Sequence, residues 1–138
     1  MDDINQSPVF VAVIDDEKDL AYLFKDALSQ IDGIQVFAFS DPKLALEHIQ
    51  TNHQHYRVVI TDHRMPEMTG IELLVKMKAI NSAVGRILMS AFEIQGEQFQ
   101  GYDCVHKFLQ KPIHMNDLIN EVEMIVNKIQ VLGANTVP

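Results

Sequence analysis

Four short stretches of this 138-residue chain hold side chains suited to polar chemistry: Asp15-Asp16-Glu17, Asp62, Ser90 and Lys111-Pro112. Each follows a stretch that reads as a strand, at residues 9–14, 57–61, 86–89 and 105–109. If these runs end side by side, carboxylates about 4 Å apart repel by roughly 4 kcal/mol at an effective dielectric of 20. Such a group calls for a cation. All the ligands on offer are hard oxygens, and a shell completed by water suits Mg²⁺. Screened by the metal and by Lys111, a carboxylate can act as nucleophile toward a phosphoryl group, with the Ser90 hydroxyl bonding a phosphoryl oxygen.

The elements that must bring these groups together follow from hydrophobic patterning. Residues 9–14 are continuously apolar and rich in β-branched types, as in a strand covered on both faces. Leu20, Leu23, Phe24, Ala27, Leu28 and Ile31 recur at helical spacing, and Asp32-Gly33 stops that helix. A second strand is expected at 34–39. Asp41-Pro42 then caps a helix carrying Leu44, Ala45, Leu46 and Ile49. The third strand ends at Asp62. Thr69-Gly70-Ile71-Glu72 has capping-box spacing and opens a helix with Leu73, Leu74, Met77 and Ile80. The fourth strand ends at Ser90, a weak helix interrupted by Gly96 is expected over 92–101, and the fifth strand covers 105–109. Leu118, Val122, Ile125, Val126 and Ile129 form the clearest helical stripe, and the tail from Leu132 reads as a frayed end. Strands alternating with helices imply a mostly parallel sheet with helices on both faces. Ligands of such sheets bind beyond the carboxyl ends of the strands.

Composition narrows the field. The formal charge is −8, from 11 basic and 19 acidic residues, so a domain that must neutralise a phosphate backbone is disfavoured. A hydrophobic fraction of 47% fits a globular chain. The single cysteine, Cys104, excludes an internal disulfide or a zinc cluster. No signal peptide or membrane span is read, so a cytoplasmic setting without membrane insertion is expected.

Four stretches carry a family resemblance: Val13-Ile14-Asp15-Asp16-Glu17, Ile60 through Gly70 with Met65-Pro66, Met89-Ser90-Ala91, and Phe108-Leu109-Gln110-Lys111-Pro112-Ile113. In that order, each after its own strand, they resemble the receiver domain of two-component response regulators, in the single-domain style of the chemotaxis regulator. The resemblance implies a flavodoxin-like doubly wound (βα)5 three-layer α/β sandwich, with a five-stranded parallel sheet in the order 2-1-3-4-5. It implies Asp62 as phosphoacceptor and Asp15, Asp16, Asp62 and the Arg64 main-chain carbonyl as Mg²⁺ ligands. Ser90 and Lys111 would hold the phosphoryl group, and Ser90 with Phe108 would form the switch. Implied partners are a sensor histidine kinase or phosphotransfer protein as donor and a downstream protein target. A homodimer through the face of the fourth helix, fifth strand and fifth helix is a further contact of this family. No direct nucleic-acid contact and no turnover of an external substrate are expected.

The expected division is an extension at 1–8, the receiver at 9–130 and a tail at 131–138, leaving no length for an output domain. Arg64 and Phe92, two residues after Asp62 and Ser90, flank the path of hydrolytic water in the family, and their bulk implies slow autodephosphorylation. His48, His53 and His55 read as a helix end and polar loop rather than a metal site. Two other functions compete. A Mg²⁺-dependent aspartyl-phosphate phosphohydrolase would want Asp where Glu17 stands, and a phosphorylation-independent interaction domain would not need the Asp62/Lys111 pair.

Overall fold

The computed structural model of the chain describes residues 8–91 and 102–135. Five parallel strands, β1 (Val9–Ile14), β2 (Ile34–Phe39), β3 (Tyr56–Asp62), β4 (Gly85–Ser90) and β5 (Lys107–Gln110), form one sheet in the order β2-β1-β3-β4-β5. The helices are α1 (Lys18–Leu28), α2 (Pro42–Thr51), α3 (Gly70–Ile80) and α4 (Met115–Asn135), with a 3₁₀ turn at Tyr102–Cys104. This is the doubly wound flavodoxin-like architecture that the family resemblance implies, and its parallel sheet is the one the alternating pattern predicts. The element read as the fifth helix is α4. The helix expected over 92–101, with Gly96, lies outside the described residues.

Alternate residues of each strand serve two cores, which explains the unbroken apolar runs. Val11, Val13, Val58, Ile60, Ile87 and Met89 pack toward α1 and α4, against Phe24, Leu28, Leu118, Val122 and Val126. Ala12, Ile14, Val59 and Leu88 pack toward α2 and α3, against Ala45, Ile49, Leu73, Leu74 and Met77. A fully buried leucine such as Leu118 contributes roughly 1.5–3 kcal/mol of transfer free energy. Not every residue of the predicted stripes is buried: Leu23 and Leu44 are exposed.

The punctuation follows the local chemistry. Gly33 stands at φ 86°, a left-handed position that suits glycine just beyond α1. The Asp41 carboxylate accepts from the Lys43 N–H, capping α2 at Pro42. Thr69 and Glu72 form the reciprocal capping box of α3. Two boundaries differ from the sequence reading. β5 begins at Lys107 rather than at residue 105, and α4 runs from Met115 to Asn135, so residues 132–135 are helical rather than frayed.

Candidate functional site

The winding direction reverses between β1 and β3: from β1 the chain builds outward to β2, then crosses back to β3, β4 and β5. The crevice beyond the carboxyl ends of β1 and β3 is therefore the expected ligand position. Asp15 follows directly on β1 and is fully buried, while Asp62 is the last residue of β3. One oxygen from each of Asp15, Asp16 and Asp62 lies within 4.8 Å of the others, and Asp16 opens to solvent.

Lys111 lies just past β5, two strands from β3, yet it closes this cluster. Its main-chain N–H donates to the Ser90 carbonyl at 2.8 Å, extending the β4–β5 ladder. The side chain then reaches back, with Nζ 2.9 Å from Asp15 Oδ2 and 3.1 Å from Asp62 Oδ1. The other Asp15 oxygen accepts from the Glu17 N–H at 2.9 Å. Buried charges persist only when paired in this way.

The electrostatics follow from this packing. Burial pushes the Asp62 carboxyl above its usual range; the Lys111 hydrogen bond and charge oppose that, and the charges of Asp15 and Asp16 reinforce it. Burial works against the Lys111 ammonium, but its hydrogen bonds to and attraction by Asp15 and Asp62 outweigh this and raise its pKa.

Around the acids, Ser90 is buried at the end of β4. Phe108 is half-buried on β5 and, like Val105, packs against the core on the α2–α3 side. Arg64 is exposed in the loop after Asp62, and Phe92 lies outside the described residues. The 63–69 loop is held at several points. The His63 N–H donates to Met89 O, the Gly70 N–H donates to His63 O, and the Met68 N–H donates to Pro66 O around Glu67 at φ 71°. Burial holds the His63 imidazole below its usual pKa, helped by the Arg64 charge and opposed by Glu72. Residues Asp15, Asp16, Asp62 and Lys111 are thus brought to one rim, with Ser90 and Arg64 at adjoining strand ends.

The histidines away from this rim have other surroundings. His48 Nδ1 is 2.7 Å from the Tyr56 hydroxyl, and its ring packs with Phe10, Phe37 and Phe39. Among the described residues, Asp15, Asp16 and Asp62 form the only cluster of three metal-ligand types.

Two polar residues escaped the sequence reading. Thr61 looked like a strand former, but its hydroxyl donates to the Asp62 carbonyl at 2.9 Å. Arg86 sat at the start of an apolar run. It is buried, and its guanidinium donates to the carbonyls of Cys104, Ser82 and Val84 and meets His106 Nε2 at 2.9 Å. An arginine beginning an apolar strand is the one signal that hinted at it. It lies at the opposite end of β4 from Ser90, away from the acids.

The fold and the rim define a class: a doubly wound α/β domain with a lysine-bridged acidic cleft at its topological switch point. The chain belongs to the response regulator receiver domain family, which it matches over residues 11–123, and so to two-component signalling. It is similar to transcriptional regulatory protein MalR of Bacillus subtilis, at 36% identity over 59% of this chain and 34% of MalR. It is also similar to response regulator receiver protein CpdR of Brucella abortus, at 28% identity over 84% of this chain and 95% of that protein. The solved receiver domain of the Francisella response regulator 1452 is 30% identical and superposes with a TM-score of 0.75, covering 88% of this chain and 98% of that one. The chain thus spans about a third of MalR and nearly all of CpdR. Among the described residues, no helix is long and apolar enough to cross a membrane.

Proposed function

We propose that the chain is a phosphorylation-controlled signalling receiver that takes a phosphoryl group on Asp62 and changes its protein-binding surface in response. The observation that carries this reading is Lys111 Nζ bridging Asp15 and Asp62 inside the three-carboxylate cluster. The donor would be the phosphohistidine of a sensor kinase or phosphotransfer protein. An Asp62 oxygen attacks phosphorus, the new O–P bond forms, and the P–N bond breaks. The donor imidazole keeps the bonding electron pair and takes up a proton.

The donor set fits Mg²⁺: Asp15, Asp16 and Asp62 offer hard oxygens, solvent access at Asp16 leaves room for water, and the Arg64 carbonyl follows Asp62 in the same loop. When bound, the metal would neutralise charge that develops on the phosphoryl oxygens. Lys111 would turn from its two carboxylates toward a phosphoryl oxygen, and the Ser90 hydroxyl would donate to another. Ser90 and Phe108 would then bias a two-state surface toward a downstream protein. No catalytic turnover, nucleic-acid contact or membrane insertion is assigned. The setting is cytoplasmic, and a homodimer through the β5–α4 side is the self-contact this reading allows.

Beryllofluoride with Mg²⁺, a phosphoryl mimic, tests the reading. Amide resonances at Asp62, Ser90 and Phe108 should shift, and spectra unchanged at all three would overturn it. Arg64, long and cationic beside the site, should slow hydrolysis of the acyl phosphate by crowding water and pairing with the phosphoryl group. Arg64→Ala should release phosphate several-fold faster, and equal release rates would remove that role.

A further inference from the structure

The main chain carrying Asp62 is held unusually closely just where it leaves the sheet. Pairing of β3 with β1 ends at Ile14↔Thr61, whereas pairing with β4 continues to Asp62↔Met89. On the β4 side, the His63 N–H donates to Met89 O at 2.9 Å. The Asp62 carbonyl lies beyond the last β1 pair, and there the fully buried Thr61 hydroxyl donates to it at 2.9 Å. The next carbonyl, His63 O, accepts from the Gly70 N–H at 2.8 Å.

The first residue of α3 closes the other side. A Cβ on Gly70 would overlap the Asp62 carbonyl oxygen and come within 2.6 Å of Leu88 Cδ1. Only a residue without a side chain lets α3 start this close to the strand end. The Asp62 carbonyl is therefore caught between a hydroxyl and a bare Cα. Thr61 Oγ1 also lies 3.9 Å from Met65 Sδ, so one side chain touches both the Asp62 peptide and the loop above it.

We infer that Thr61 is a positioning residue for phosphoryl transfer, its hydroxyl fixing the 62–63 peptide and through it the direction of the Asp62 carboxylate. This rests on the reading of Asp62 as phosphoacceptor. A nucleophile misplaced by about 1 Å can lose on the order of 10²-fold in rate, so a tilted peptide registers in the chemistry even when the domain stays folded. Thr61→Val keeps the shape and removes the donor, and Thr61→Ser keeps the donor.

The experiment follows uptake of phosphoryl groups by the full chain from phosphoramidate with Mg²⁺. The ¹³C resonance of the Asp62 carbonyl and the thermal midpoint are read on the same samples. Thr61→Val should react about tenfold or more slowly at saturating donor, with a shifted carbonyl resonance. Thr61→Ser should return both toward wild type. Should Thr61→Val not fold, Thr61→Ala removes the hydroxyl without adding bulk and should show the same loss. A folded Val or Ala variant that reacts at the wild-type rate, or a Ser variant as slow as Val, would overturn the role of Thr61 alone. Absence of uptake by the wild type would overturn the reading of Asp62 and this inference with it.

Discussion

Asp62 and Lys111 are the residues in which packing and chemistry conflict most directly. Burial penalises the Asp62 charge, and that penalty, with the smaller repulsion from Asp15 and Asp16, outweighs the relief from Lys111, so its folded pKa lies above the reference value of 3.8. For a carboxyl raised in the folded state, the native protein binds the proton more tightly than the unfolded chain. Stability therefore falls as pH rises from about 3.8 through the folded pKa, and the loss is complete above it. Asp62→Asn removes the charge and leaves an oxygen for Lys111. Thermal melts in chelator at pH 7 should show this variant several degrees more stable than wild type, with the gap closing as pH falls toward 4. An equal or lower midpoint at pH 7 would contradict the assigned electrostatics. A site that is costly when empty suits a residue whose charge serves a metal and a phosphoryl group.

Helix ends and strand ends decide where these residues stand. The Thr69–Glu72 capping box starts α3 directly over the Asp62 peptide, so the cap shapes the site as well as the helix. Thr69→Ala should cost about 1 kcal/mol, or roughly 4 °C in Tm for a domain of this size, read by denaturant and thermal unfolding. A change within error would mean that packing of Ile71 and Leu74 alone fixes the helix start. That cap was legible beforehand as Thr-x-x-Glu, as was the α2 cap in Asp41-Pro42, because both are local in sequence. The start of β5 was not legible. Val105 and His106 directly precede the strand in sequence, but Val105 packs on the α2–α3 core and His106 is engaged by Arg86, whose N–H meets its Nδ1 at 3.1 Å. Both are contacts between residues distant in the chain. Nor could periodicity extend α4 back to Met115, because its first turn is polar and the apolar stripe begins at Leu118.

At the scale of the whole molecule, two facts do most to define the protein: the strand order β2-β1-β3-β4-β5 and the position of its acids. The order sets the reversal between β1 and β3, and the reversal brings Asp15 and Asp62, 47 positions apart in sequence, to one lysine. The carboxylates, Ser90 and Lys111 could be picked out as strand-end residues from the sequence. The Thr61 hydroxyl under the Asp62 carbonyl could not, since its role is set by where β1 stops and α3 begins. The central claim is that this rim takes a phosphoryl group on Asp62 with Mg²⁺. Intact-mass measurement after incubation with phosphoramidate tests it most directly. Wild type should gain the mass of a phosphoryl group only when Mg²⁺ is present, and Asp62→Asn should gain none. Uptake by Asp62→Asn equal to wild type, or no uptake by wild type with Mg²⁺, would contradict the account.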